Sequence, residues 1–127
     1  MNQLKKNKFL NLFILAPKMS ITAKASILHR ITGFLLFLSI PFLLYLLNQT
    51  LTSNDFYSAF YTNCSTLLAK LVYMLLIFSF VYHMCAGIRY LFLDIHKGVE
   101  INSAKKTAWL AILFSLVITL FLGIIIW

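Results

Sequence analysis

Residues 71–94 read LVYMLLIFSFVYHMCAGIRYLFLD. The first 18 of them, residues 71–88, carry no charged side chain, which is close to the roughly 20 apolar residues that a helix needs to cross the bilayer. His83 stands within this run, and an ionisable side chain at membrane depth is costly to insert and usually has a function. We therefore expect a membrane-spanning helix that serves to position His83.

Two further blocks support a membrane protein. Residues 31–54 and 107–127 also lack charge, over 24 and 21 positions, and the whole chain is 61% hydrophobic and only 11% charged. Unpaired backbone groups are not tolerated in lipid, so each block must be a helix. The sequence predicts an all-α integral membrane protein with three transmembrane helices. We expect a single membrane-anchor domain over 1–127, with an N-terminal segment at 1–30 and spans at about 31–51, 67–93 and 107–127. Asn54 and Asp55 predict a turn in a short connection after the first span.

The basic residues behind the net charge of +8 are unevenly distributed, and their distribution indicates the membrane topology. Basic residues precede the first span and follow the second, whereas residues 51–67 contain neither lysine nor arginine. The positive-inside rule then predicts a cytoplasmic N-terminus and a C-terminus on the outer side. We expect a lipid membrane, and no nucleic acid, as the partner of these charges.

Polar residues lead into the first span. Ser20 or Thr22 is suited to cap a helix that continues into it. On such a helix Ser26 and Arg30 share a face, and His29 lies beside them. A hydroxyl, a guanidinium and an imidazole then meet at the cytoplasmic edge of the membrane, although anchoring of the helix by a snorkelling arginine explains the pattern equally well.

The alternating topology brings His29 and Arg30 to the depth of His83. A membrane histidine can ligate haem, carry protons or hydrogen-bond to another helix, and the nearby Ala86 and Gly87 allow a porphyrin or a neighbouring helix to approach closely. We expect no second histidine of this chain at a matching depth to ligate the same iron. A second axial ligand would then have to come from a partner chain.

The third span carries small residues at every fourth position. Ser115, Thr119 and Gly123 fall on one side of a helix. Small residues at such spacing allow close helix contact in membranes. We interpret this stripe as a packing face and not as a binding site.

Two segments resemble signatures of one family, the cytochrome b subunit of succinate dehydrogenase. Residues 26–33, SILHRITG, resemble its S-x-x-H-R-x-[ST]-G motif, and residues 83–94, HMCAGIRYLFLD, resemble H-x-x-x-G-x-R-H-x-x-x-D. The chain departs from the pattern at Tyr90, where the family has histidine, and at His96, where it has glycine and where we expect an exposed side chain. The N-terminal segment also lacks the family's usual Arg-Pro start.

The resemblance implies a membrane-anchor subunit of succinate:quinone oxidoreductase, complex II. Such a subunit shares a haem b with a second small membrane-anchor subunit and helps to form the ubiquinone-reduction site, which receives electrons from the flavoprotein subunit through the iron–sulfur subunit. The implied location is the bacterial cytoplasmic (inner) membrane or, alternatively, the mitochondrial inner membrane. Two other interpretations stay open: the anchor of a quinol:fumarate reductase, and a haemless helical anchor or assembly protein.

The resemblance also implies roles for individual residues, none of which is catalytic by itself. His83 matches an axial ligand of the haem iron. Ubiquinone contacts are implied for Ser26 and Arg30. The residues implied on the haem propionate side are His29, Arg30, Arg89 and Tyr90.

Overall fold

The computed structural model describes residues 19–126, which form four helices and no strand. The helices are α1 (Ile21–Thr52), α2 (Asn54–Cys64), α3 (Leu67–Asp94) and α4 (Ile101–Ile126). Helices α1, α3 and α4 are each long and apolar enough to cross a membrane. The predicted all-α membrane fold with three spanning helices is therefore confirmed. Most of the predicted N-terminal segment, residues 1–18, and Trp127 lie outside the described residues.

Helix α1 begins well before the uncharged block because Ser20 caps it. The Ser20 hydroxyl accepts a hydrogen bond from the Ala23 N–H at 3.4 Å, which satisfies one of the unpaired donors of the first turn. The predicted cap at Ser20 is confirmed. His29 and Arg30 consequently sit on regular helix and not on an irregular entry to the span.

The connection after the first span differs from expectation. The sequence suggested a turn at Asn54 and Asp55, but these residues begin α2. Ser53 separates the two helices with φ −135° and ψ 117°, its N–H bonds back to the Gln49 carbonyl at 3.1 Å, and its hydroxyl accepts from the Phe56 N–H at 3.2 Å. One serine thus ends α1 and caps α2, and the negative charge of Asp55 in the first turn favours the new helix.

Helix α3 ends in a Schellman motif. The Lys97 N–H bonds to the Phe92 carbonyl and the His96 N–H to the Leu93 carbonyl, both at 3.0 Å, while His96 has φ 59°. This left-handed position normally favours glycine, and it is the position at which the resembled family has glycine. His96 is exposed, as expected, but its backbone conformation gives it a structural role in ending the helix.

Helix α3 packs between α1 and α4, and α4 presents small residues to the interface. Gly123 faces the Met74 side chain, and Ser115 and Thr119 are buried and donate to carbonyls of their own helix at 2.8 and 2.7 Å. The predicted packing face is confirmed. Large apolar side chains remain exposed along the spans, as expected for a surface that contacts lipid.

Candidate functional site

His83 lies at the contact between α3 and α1, where its ring stacks on the ring of His29. The ring centroids are 4.1 Å apart and the ring planes differ by 6°. The predicted convergence of His29 and His83 at one depth is therefore confirmed. The expectation that no second histidine matches the depth of His83 is wrong, because the capped start of α1 brings His29 to the same level.

Hydrogen bonding defines which edge of the His83 ring is available. Its Nδ1 lies 3.1 Å from the His29 carbonyl oxygen and 3.4 Å from the Thr32 hydroxyl. A carbonyl oxygen only accepts, so Nδ1 carries the proton and Nε2 of the neutral ring keeps its lone pair. Nε2 makes no hydrogen bond among the residues that the structure describes, and it is the atom of this ring that is suited to bind a metal.

Gly33 supplies the space for the imidazole. A Cβ atom built at Gly33 would lie only 2.7 Å from Cε1 and 3.2 Å from Nδ1 of His83. By contrast, a Cβ built at Gly87 would meet His29 Nε2 at an ordinary 3.8 Å, and Ala86 is buried in the helix packing. The small residues beside His83 on α3 therefore serve mainly the approach of α1, one of the two alternatives that the sequence left open.

Tyr82 locks α3 to α1 next to the histidine pair. Its side chain is fully buried, and its hydroxyl donates to the Ala25 carbonyl at 2.8 Å. This bond crosses between helices one turn before His29. It keeps the His29 carbonyl, which accepts the hydrogen bond from His83 Nδ1, in position relative to α3.

Two buried polar atoms at the histidine pair have no hydrogen-bond partner among residues 19–126. They are Nε2 of His29 and the hydroxyl of Tyr90, whose rings lie 5.1 Å apart at an angle of 58°. Unpaired buried polar atoms are rare and call for an explanation such as a missing ligand or water. Both atoms belong to residues that the sequence associated with haem propionates.

Arg89 is buried and points to α4. Its Nε donates to the Thr107 hydroxyl at 3.1 Å and its NH2 group to the Ala104 carbonyl at 3.2 Å. Its guanidinium carbon also lies 5.3 Å from the centre of the Tyr90 ring. Arg89 therefore joins the second and third spans at the level where the polar residues collect.

A cavity of about 430 Å³ opens at this end of the bundle, between the starts of α1 and α4 and the end of α3. Ser26, Arg89 and Tyr90 all line it, together with Lys105. Arg30 is exposed and does not line it. The structure therefore brings Ser26 together with Tyr90 and Arg89, but it does not bring Arg30 into the same cavity.

The stacked histidines are not arranged as a pair of axial ligands. A ring nitrogen binds a metal in the plane of its ring, so an iron at His83 Nε2 would lie in that plane. The parallel ring of His29 is displaced from this plane by the stacking distance, and its lone pairs cannot point at the same iron. Residues 19–126 also contain no group of three or more histidine, cysteine or acidic residues that could hold a metal ion.

Sequence reasoning missed several supporting residues of this site. Thr32, Tyr82 and Thr107 were not assigned roles, although each makes a hydrogen bond that positions a site residue. Thr32 and Gly33 occupy the [ST]-G end of the first resembled motif, which was the available signal. Only the contact between α1 and α3 reveals why a hydroxyl and a glycine are needed there.

Comparisons with known proteins find matches in one protein family. The family described as "Succinate dehydrogenase/Fumarate reductase transmembrane subunit" matches residues 3–122. The chain is 32% identical over 107 residues to a succinate dehydrogenase cytochrome b556 subunit of Rickettsia felis, which covers 84% of this chain and 83% of the relative. It is 39% identical over 110 residues to a succinate dehydrogenase cytochrome b560 subunit of Reclinomonas americana, with coverage of 79% and 76%. A cytochrome b556 subunit of Coxiella burnetii is 30% identical over 103 residues, with coverage of 80% and 82%.

Proposed function

This chain belongs to the family of succinate dehydrogenase/fumarate reductase transmembrane subunits, and from that premise we propose that it is the cytochrome b membrane anchor of a succinate:quinone oxidoreductase. The observation that carries the proposal is the state of His83. Its Nδ1 is committed to the His29 carbonyl, and its Nε2 is left with a lone pair at the edge of the α1–α3 contact. A neutral imidazole held in this way is a suitable axial ligand for haem b.

The residues around His83 fit a haem. When bound, the haem would supply a one-electron carrier within the membrane. His83 would hold the iron, while Gly33 and Thr32 keep the imidazole in its plane. Because His29 stacks face to face with His83, we assign the second axial ligand to a second small membrane-anchor subunit.

The propionate side of the haem would lie near the unpaired buried atoms. We propose that His29 Nε2 and the Tyr90 hydroxyl donate hydrogen bonds there, which would explain why both lack a partner within the described residues. Arg30 and Arg89 would add positive charge to the same region. Two donors of Arg89 are already used by α4, so its contribution is mainly its charge.

We further propose that Ser26 and Arg30 contribute to the ubiquinone site. The quinone oxygens gain negative charge as electrons arrive, so the site needs hydrogen-bond donors and cations. Ser26 lines the cavity at the end of the bundle, and Arg30 lies one turn further along α1 at its exposed side. Closure of the site around Arg30 would then require the neighbouring subunits, the iron–sulfur subunit above all.

The same face would receive the soluble partners. The basic residues of the N-terminus and of the α3–α4 connection support a cytoplasmic location of this end by the positive-inside rule. The iron–sulfur and flavoprotein subunits would therefore dock from the cytoplasm of a bacterium, with the chain in the cytoplasmic membrane and its C-terminus outside. A mitochondrial inner membrane is the corresponding alternative.

Haem spectroscopy of the purified complex tests the function. We expect a b-type pyridine haemochrome from the wild type, loss of haem or a shifted reduced spectrum with His83→Ala, and a normal spectrum with the control His96→Gly. His96 lies exposed in a connection, and glycine readily adopts its positive φ. An unaltered spectrum and normal haem content in His83→Ala would refute the ligand assignment. Absence of any b-type signal in the wild type would favour a haemless anchor.

The quinone assignment has a separate readout in the same preparation. Ser26→Ala should leave haem content and succinate oxidation by an artificial acceptor unchanged while it lowers the rate of quinone reduction. The reason is that only the membrane site loses a donor to the developing charge. If Ser26→Ala and Arg30→Leu reduced quinone with the rate and affinity of the wild type, the ubiquinone site would have to lie elsewhere.

A further inference from the structure

Arg89 is a buried cation without an acidic partner among residues 19–126. Its side chain is only 8% exposed, and it donates solely to neutral oxygens, the Thr107 hydroxyl and the Ala104 carbonyl. Its NH1 group makes no hydrogen bond to a described residue. Buried charges in proteins are normally paired, so an anion from outside the described chain is the expected partner.

A cleft between α3 and α4 leads to this guanidinium. It encloses about 420 Å³, and none of its lining residues comes from α1, so it is separate from the histidine pair. Its polar end combines Arg89, the Thr107 hydroxyl and Lys97 of the α3–α4 connection. The rest of its wall is apolar and includes Ile88, Phe92, Leu110 and Phe114.

We propose that this cleft binds a phospholipid with an anionic headgroup, its phosphate against Arg89 and Lys97 and an acyl chain along the apolar wall. Charge complementarity supports the headgroup position, because two cations line the cleft at the end of the span where headgroups lie. The wall from Thr107 to Phe114 is about 10 Å long at the rise of an α-helix. That length suits part of an acyl chain and is much shorter than the face of a spanning partner helix.

The lipid would also border the site proposed above. Arg89 lines both this cleft and the cavity that contains Ser26 and Tyr90. A phosphate bound on the α4 side would hold the Arg89 side chain in its present orientation. Lipid binding requires only that the three spans lie in the membrane, and it does not require the proposed electron transfer. Failure of the lipid proposal therefore does not imply failure of the proposed function, and the reverse holds as well.

Native mass spectrometry of the full chain in detergent, purified with the subunits that accompany it, tests the proposal with added phosphatidylglycerol. Lys97→Gln should lower the retained lipid by about fivefold, the effect of one lost charge near the membrane surface. Lys105→Gln is the matched control, because Lys105 lines the cavity that contains Ser26 but not the cleft. Arg89→Gln should lower lipid retention further, but it also removes hydrogen bonds to α4. The Lys97→Gln variant is therefore the decisive one, because Lys97 is exposed.

Four results would overturn the proposal. The first is equal retention of phosphatidylglycerol by the wild type and Lys97→Gln. The second is displacement of the lipid by inorganic phosphate alone, which would indicate a site for a free anion. The third is a photo-reactive group at Leu110 that captures a protein subunit in place of lipid. The fourth is a shifted haem spectrum in Arg89→Gln with unchanged lipid retention, which would make a haem propionate the partner of Arg89.

Discussion

The two interfaces of α3 use polar side chains in different ways. Against α4, Arg89 near the end of α3 donates across the interface to Thr107 and Ala104. Along the apolar part of that interface, the hydroxyls of Ser115 and Thr119 are buried but donate to carbonyls of their own helix. Against α1, Tyr82 donates across the interface to a backbone carbonyl, and Nδ1 of His83 does the same. The first interface brings helices close, whereas the second fixes one imidazole in one orientation.

The difference shows how a packing surface can be distinguished from a site in a membrane helix. A hydroxyl that satisfies itself within its own helix can be buried without requiring any exact partner. A bond across helices ties the position of a side chain to a carbonyl on another element, and it is lost when either helix shifts. Matched substitutions at the two interfaces should therefore differ in their effect on haem more than in their effect on stability.

The largest difference is expected between two glycines. In Gly33→Ala the new Cβ would lie 2.7 Å from His83 Cε1, and in Gly123→Ala it would lie 2.6 Å from Cε of Met74. The flexible end of methionine can move, whereas the His83 ring is held by its hydrogen bond and its stack. We expect Gly33→Ala to destabilise the fold by about 1–3 kcal/mol and to lose most of the haem, and Gly123→Ala to keep it. Haemochrome content and thermal melting in detergent measure both effects. Equal haem content in the two variants would contradict the proposal that Gly33 leaves space for the His83 ring.

A smaller effect is expected from Tyr82→Phe. It removes the hydroxyl that donates to the Ala25 carbonyl and should cost about 1 kcal/mol. The His29 carbonyl would then be held less firmly, so the haem spectrum should broaden or shift. Tyr45→Phe is the control, because Tyr45 is 57% exposed on α1. A melting temperature of Tyr82→Phe that matches that of the control would show that the bond across the helices contributes nothing measurable.

The smallest effect is expected from Thr32→Val. Thr32 donates to carbonyls of its own helix at 2.9 and 3.0 Å and contacts His83 Nδ1 only at 3.4 Å. Thr119→Val is the counterpart at the other interface. Both should change stability by less than about 1 kcal/mol, but only Thr32→Val should shift the redox potential of the haem. A potential identical to the wild type would remove Thr32 from the set of positioning residues.

Some parts of the site were predictable because they depend only on pattern and topology. An uncharged run with one histidine predicts His83 as the functional residue of its span, and alternating spans bring the start of the first to the end of the second. That reasoning placed His29 near His83. It did not reveal the stack, because ring orientation depends on the crossing of α1 and α3, and for the same reason it did not show that Arg89 turns to Thr107 of α4.

Three uncharged blocks and the uneven distribution of basic residues determined by themselves that this chain is a three-helix membrane protein, because lipid admits few alternatives for a backbone. Only the tertiary structure decided which nitrogen of His83 is free, where Gly33 leaves space, and why Ser26 shares a cavity with Tyr90 while Arg30 does not. These features depend on contacts of a few ångströms between residues fifty or more positions apart. Periodicity along one helix indicates which residues share a face, but it contains no information on what the next helix presents to that face.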